Sequence, residues 1–289
     1  ALVAFIPQHL HIASSINNDV LGELLLSLVL LLLLRRMHPA ARSSLWGVAL
    51  PLGLVLGLAL LAKDTSYIAL LLVPLGLALG ELVKGGFRWA RLVYTTAAAY
   101  AVAIVVSGWW FLRNVLVYGN LDLFGLVRHD QIVVGQPRVG VFDWGAAGRF
   151  LTVSFQSFWA QFGWMGVPSD SRTYTFAGLL SLLAVAGLAL FLAREVRRPS
   201  LSSYQRAALG LGAAAFFLVL VGVVRYNLEF IQPQGRYLYP ALLPLGLFAF
   251  LGLRELMGRR PALPIALLSL SLLGLAAYNL WRVLIPGLR

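Results

Sequence analysis

The sequence predicts an all-α integral membrane protein of about eight transmembrane helices, and three observations carry that expectation. Hydrophobic residues make up 60% of the 289 positions and charged residues only 12%, at a mean hydropathy of +0.84. A soluble domain carries about 25% charged residues. Nearly every charge lies between long apolar runs, and the basic residues gather on alternate connections.

A bilayer core about 30 Å thick takes roughly 20 apolar helical residues to cross. Lipid-exposed backbone must satisfy its own hydrogen bonds, which leaves helices or closed barrels, and the length of the runs selects helices. They cover 20–34, 45–62, 66–83, 92–112, 174–193, 207–224, 238–253 and 262–284. Residues 1–7 (ALVAFIP) read as the end of a further apolar segment, so the single transmembrane domain over 1–289 is expected to lack an N-terminal portion of one or two spans.

Arg35, Arg36 and Arg42 share one connection, and Lys84, Arg88 and Arg91 the next basic one. Arg194, Arg197, Arg198 and Arg206 form a third, and Arg254, Arg259 and Arg260 a fourth. Positive residues stay in the cytoplasm, and placing all four groups there makes every intervening span cross once. The outer face then holds 8–19, 63–65, 113–173, 225–237 and 285–289. It also takes eight of the acids, at or near Asp19, Glu23, Asp64, Asp122, Asp130, Asp143, Asp170 and Glu229. The expected site is the bacterial cytoplasmic membrane, with the functional face outside the cytoplasm.

The formal charge of +12 is explained by arginine and lysine at cytoplasmic helix ends, so nucleic acid is not expected as a partner. Cysteine is absent, which excludes thiolate and disulfide chemistry. His9 and His11, two apart, do not share a helical face. The sequence has no Ser-His-Asp arrangement and no nucleotide-binding glycine loop.

The one long connection, 113–173, is expected to be an outer loop with interfacial helices. Its run 147–162 (AGRFLTVSFQSFWAQF) is apolar yet broken by Arg149, Ser154, Gln156 and Gln161, which suits an amphipathic helix on the membrane surface.

Four polar constellations remain on that side. Asn17-Asn18-Asp19 opens a span, where Asp19 caps helix N–H groups or serves chemistry, with Glu23 one turn deeper on the same face. Such a pair could position an acceptor hydroxyl, act as a base or, at Asp19, ligate a metal ion. Ala62-Lys63-Asp64-Thr65 makes a tight turn in which Lys63 snorkels to the interface or meets a phosphate. Trp109-Trp110-Phe111-Leu112-Arg113-Asn114 ends a span in belt-like chemistry. Arg225 ends another span, and Gln234-Gly235-Arg236-Tyr237 precedes the next. There Arg236 anchors a lipid headgroup or serves as a planar donor to phosphate oxygens.

With "NND", "GLALLAKDT", "WWFLRNVLVYGN", "SFWAQFGW" and "QGRYLYPALLPL" in that order, the chain resembles bacterial GT-C superfamily membrane glycosyltransferases. The nearest likeness is to a branch related to the protein O-mannosyltransferase and aminoarabinose-transferase families. The resemblance implies a GT-C-like fold and sugar transfer from a polyprenyl-phosphate donor on the outer face. It implies an acid acting as base in a first outer loop, which would precede Ala1. It also implies basic residues, in some members with a divalent metal ion, at the departing lipid phosphate. By position Asp19 matches the second outer-loop acid, Lys63 the hairpin lysine and Arg236 the late arginine. Lys63, Arg236, Arg225 and Arg113 are then the expected donor-phosphate residues, with Asp19 and Glu23 nearest the acceptor. The hairpin departs from the pattern, reading Ala-Lys-Asp where relatives often have Thr-Lys-Gly or Thr-Lys-Glu.

Two other readings stay open. One is a non-catalytic subunit of a larger membrane complex. The other is a lipid or solute transporter, against which the mid-span positions count, being nearly all Leu, Ala, Val and Gly with no charge beside Pro51, Pro74 or Pro244.

Overall fold

A computed structural model describes residues 3–42, 44–136, 144–258 and 262–287. Asp143, Arg259 and Arg260 lie outside these. A short helix α1 (Pro7–Ala13) precedes α2 (Asp19–Met37) and α3 (Leu45–Ala62). A 3-10 turn, Asp64–Ile68, then runs straight into α4 (Ala69–Val83). Next come α5 (Trp89–Tyr118), the short α6 (Leu126–Ile132) and α7 (Trp144–Trp159). A two-stranded antiparallel hairpin follows, β1 (Gln161–Phe162) and β2 (Val167–Pro168), with Phe162 opposite Val167. The chain continues through α8 (Ser171–Arg197) and α9 (Ser203–Glu229), a 3-10 turn at Gly235–Ala241, α10 (Leu242–Met257) and α11 (Ala262–Asn279).

Among the described residues seven helices are long and apolar enough to cross a membrane, which makes this an all-α membrane protein. The runs expected at 45–62, 66–83, 92–112, 174–193, 207–224, 238–253 and 262–284 each fall within one of them. The eighth expected span falls in α2, which has the length but carries Asp19, Glu23, Arg35 and Arg36 within its 19 residues. Where α5, α8 and α9 outrun the apolar runs, local chemistry explains it. Asp170 Oδ1 accepts from Thr173 N at 3.0 Å to cap α8. Ser202 and Gln205 form a reciprocal capping box on α9. The extension of α5 takes Arg113 into the helix, where its Nη1 donates to Tyr118 Oη at 2.8 Å.

The chain divides into two compact units. One comprises Leu21–Val139 and Ser202–Ile231, with a core of Leu26, Leu33, Leu52, Leu56, Leu72 and Leu211 contributed by α2, α3, α4 and α9. Its tightest helix pair is α3 on α5. A Cβ added to Gly53 would lie 2.4 Å from the Ala99 carbonyl oxygen, so only glycine permits that separation. A buried charge group closes one end: Glu81, 2% exposed, accepts from Arg36 Nη2 at 2.7 Å and from Arg88 Nε at 2.9 Å.

The other unit comprises Ala1–Val20, Gly140–Leu201 and Gln232–Arg289, with Ile6, Ile12, Trp159, Ala177, Tyr239 and Leu242 at its core. Here α8 packs on α10. A Cβ on Gly252 would meet the Ala184 carbonyl oxygen at 2.0 Å, and one on Gly187 the Gly252 carbonyl oxygen at 2.1 Å. Arg194 Nε donates to Glu255 at 2.7 Å across the same pair. A buried polar knot fixes α11, where Asn279, fully buried, donates from Nδ2 to Thr173 Oγ1 at 3.2 Å.

Two stability predictions follow from these contacts. Gly252→Ala should destabilise the purified protein by about 1–3 kcal/mol through overpacking. Gly210→Ala, in α9 with nothing within 4 Å of the added methyl, should be neutral or stabilising by up to about 1 kcal/mol. Thermal unfolding in detergent separates the two, and equal midpoints would refute the close-contact account. Glu81→Gln should cost about 3–5 kcal/mol, because it leaves Arg36 buried beside no carboxylate. A smaller loss in the same assay would mean that water or lipid already compensates Arg36.

Candidate functional site

The site forms where the 3-10 turn Gly235–Ala241 lies across α7. Gly235 makes this possible, since a Cβ there would fall 2.0 Å from the Ser154 carbonyl oxygen and 2.5 Å from Phe158 N. Gly235 N donates to Ser157 Oγ at 2.7 Å, and Tyr239 Oη donates to the Phe158 carbonyl at 2.8 Å. The turn is thereby held at both ends, and Arg236 leaves it from a fixed backbone.

The guanidinium of Arg236 stands 5.0 Å from the Trp164 ring centroid and 5.7 Å from that of Tyr237. Trp164 comes from the tip of the β1–β2 hairpin, where Gly163, Trp164 and Met165 all have positive φ. Stacking on aromatic faces stabilises the cation without consuming its N–H donors. Arg236 Nε is buried and makes no hydrogen bond within the protein.

Helix α1 packs against the same elements. Gln8 Oε1 accepts from Gln161 N at 3.0 Å. The His9 ring meets Tyr239 edge-on at 5.3 Å, and the His11 ring meets Phe162 at the same separation. Burial first, and the charge of Arg236 second, hold the His11 imidazole below its ordinary value of 6.5. The two histidines thus serve neighbouring aromatic contacts. Among the described residues no three His, Cys, Asp or Glu side chains come together to hold a metal ion.

The expected site residues divide between the two units. Asp19 and Arg236 belong to the unit containing α1, α7 and the hairpin, whereas Glu23, Lys63, Arg113 and Arg225 belong to the other. Asp19 opens α2, its N–H donating to Asn17 Oδ1 at 2.9 Å, while Asn17 Nδ2 donates to the Ile12 carbonyl at 2.8 Å. Asn17 is therefore the residue that joins the end of α1 to the start of α2. Lys63 is the extended residue between α3 and the 3-10 turn. Gly22 approaches it so closely that an added Cβ would lie 3.3 Å from Lys63 Cβ. That places Glu23, the next residue, at the same end of the unit as Lys63. Arg113 is engaged by its own helix end, 5.1 Å from the Trp110 ring and 5.0 Å from that of Tyr118. Arg225 is an exposed residue within α9, which continues to Glu229 rather than ending at Arg225.

The sequence motif joins Gly235 to Arg236, but not Trp164 or His11, since no local spacing links residues so far apart. The glycine before the arginine was the available signal. In comparisons with protein-family models, curated proteins and solved structures, nothing matches this chain.

Arg236→Gln should raise the His11 value towards 6.5, because one of its two depressing causes is removed. An NMR titration of the His11 ring reads this directly, and an unmoved midpoint would dissociate the two residues. The depressed value also fixes a sign. The folded state binds fewer protons at His11 than the unfolded chain, so this contribution to stability declines as pH falls through 6.5.

Proposed function

We propose that the chain is a GT-C-type glycosyltransferase that moves a sugar from a polyprenyl-phosphate donor to an acceptor on the outer face of the bacterial cytoplasmic membrane. The observation that carries this reading is Arg236, an arginine braced by Trp164 with a buried Nε lacking any acceptor. A phosphate oxygen supplies that acceptor, and a preorganised guanidinium is worth most where negative charge grows on a departing group. The neighbouring α7, rich in aromatic and aliphatic side chains but interrupted by Arg149, Ser154 and Gln156, suits a surface on which the polyprenyl tail enters from lipid.

In this reading α2 is the eighth span, with Asp19 and Glu23 at its outer end and Arg35 and Arg36 at its cytoplasmic end. The acceptor hydroxyl attacks the anomeric carbon, the bond from that carbon to the phosphate oxygen breaks, and the lipid phosphate leaves with its electron pair. An acid takes the hydroxyl proton. Asp19, half-buried at the first position of α2, is the acid of this chain assigned nearest the acceptor.

Transfer of label from radiolabelled polyprenyl-phosphate sugars to membrane acceptors tests the proposal. Arg236→Ala should lower turnover by at least about a hundredfold, the usual loss on removing one donor to a developing anion, while the protein stays folded. Undiminished transfer in that variant removes Arg236 from the site. A folded native protein that transfers no sugar from any donor favours the non-catalytic subunit.

A further inference from the structure

A second concentration of positive charge lies in the unit of α2–α6 and α9, at the end where α2 and α4 finish and α5 begins. Glu81 is an acid at its centre. Besides Arg36 and Arg88, Arg91 Nε approaches this carboxylate at 3.9 Å. Lys84 Nζ donates to the Ala41 carbonyl at 2.9 Å. The charged groups acting on Lys84 are Arg36, Arg88, Arg91 and Glu81, three cations and one anion. Arg42, Lys84, Arg88 and Arg91, with Pro39 and Ala41, line an open cavity of about 630 Å³.

Two further observations point to an anionic occupant. Arg36 is only 6% exposed, yet its Nη1 is buried with no hydrogen-bond partner. Arg36 lines neither cavity, but its buried charge acts on Lys84 and adds to the positive potential behind the lining residues. An apolar groove of about 440 Å³ also adjoins the cavity, the two sharing Ala41. It runs along α2 past Leu31 and Leu34 to His38 and Tyr204. A polar chamber crowded with guanidinium groups beside an apolar groove matches one chemistry, an amphiphile with a phosphate head.

We propose that this end of the unit binds an anionic phospholipid, its phosphodiester held among Arg42, Lys84, Arg88 and Arg91 and one acyl chain lying along Leu31 and Leu34. The site is separate in sequence and in composition from the Arg236 site and does not depend on the glycosyltransferase reading. Lys84 already registers the shortage of negative charge. Burial, then Arg36 and Arg91, bring its ammonium down to about 8. A bound phosphodiester raises that value, so binding weakens as pH rises through about 8 and Lys84 loses its proton.

The test is native mass spectrometry of the full chain in detergent, titrated with short-chain phosphatidylglycerol, with phosphatidylcholine and with the deacylated glycerophosphoglycerol headgroup. Phosphatidylglycerol should bind saturably and phosphatidylcholine should not. Lys84→Gln should weaken phosphatidylglycerol about tenfold and abolish its dependence on pH near 8. Arg88, 57% exposed, gives a second headgroup variant, Arg88→Gln, with the same expected loss should Lys84→Gln fail to fold. Leu34→Trp, which fills the groove, should weaken the lipid and leave the free headgroup unaffected. Equal binding of both lipids, or affinities unmoved by Lys84→Gln and Arg88→Gln, overturns the proposal. A headgroup that binds as tightly as the lipid identifies a soluble phosphodiester as the occupant and overturns the lipid assignment.

Discussion

Backbone-to-backbone contact through glycine is the constraint on which the remaining geometry depends. Between apolar helices in lipid the hydrophobic effect supplies almost no attraction, since acyl chains are as apolar as leucine. Association rests on close van der Waals packing and on a few polar contacts. Gly53 against Ala99 sets the α3–α5 separation in one unit, and Gly187 with Gly252 sets that of α8 and α10 in the other. The same device reaches the site: because Gly235 has no side chain, the turn carrying Arg236 rests directly on the backbone of α7. A larger residue there would lift the turn and with it the guanidinium from Trp164. The packing rule and the site geometry are therefore one problem.

Arginine is handled in two different ways in this chain, and the contrast separates structure from function. Arg36 is compensated by Glu81, whose carboxylate is also shared with Arg88 and Arg91. Removing water from such a group is costly, and the pair holds because its partners are charged and well aligned. Arg236 meets no carboxylate among the described residues and is instead stabilised by aromatic faces. Aromatic stacking leaves the guanidinium's hydrogen-bonding capacity unspent, whereas Glu81 takes up Arg36 Nη2. An arginine used only for cohesion is better served by the first arrangement. The second keeps donors in reserve.

The spans were legible in the sequence because lipid imposes a length and a hydropathy that no side-chain detail overrides. Their ends were not. The apolar run stopped at 112, but α5 reaches Tyr118 because Arg113 folds back onto Trp110 and Tyr118. The run from 174 became a helix from Ser171 because Asp170 caps it. Residues 147–162 were expected to form one amphipathic helix; the structure ends α7 at Trp159 and turns Gln161–Pro168 into a hairpin with positive φ at its tip. Within the site, Arg236 stood out for its charge beside an apolar span. Its companions come from α1 and the hairpin, more than sixty positions away in sequence, and only tertiary folding brings them together. Glu81 escaped notice for a related reason, since its arginines come from both sides of α4 and an acid among basic residues reads locally as an ordinary surface charge.

The bland account of Arg236 is a belt residue holding a lipid headgroup at the interface. Belt arginines extend their guanidinium into the headgroup layer, where water and phosphate satisfy every N–H and the backbone beneath needs no particular geometry. Arg236 differs on both counts. Its Nε is withdrawn from solvent, and its backbone is fixed by Gly235 against α7, by the Ser157 hydroxyl and by the Tyr239 hydroxyl three residues on. Orientation held this firmly has an entropic cost that anchoring does not require. Under the proposed function that cost is offset, because a leaving phosphate must be met at one position and in one charge state. His11 feels the same charge, because burial and Arg236 together hold its imidazole below its ordinary value. Under the proposed function the apolar surface of α7 suits the tail of that ligand, since a phosphate delivered by a lipid arrives with its chain still in the membrane.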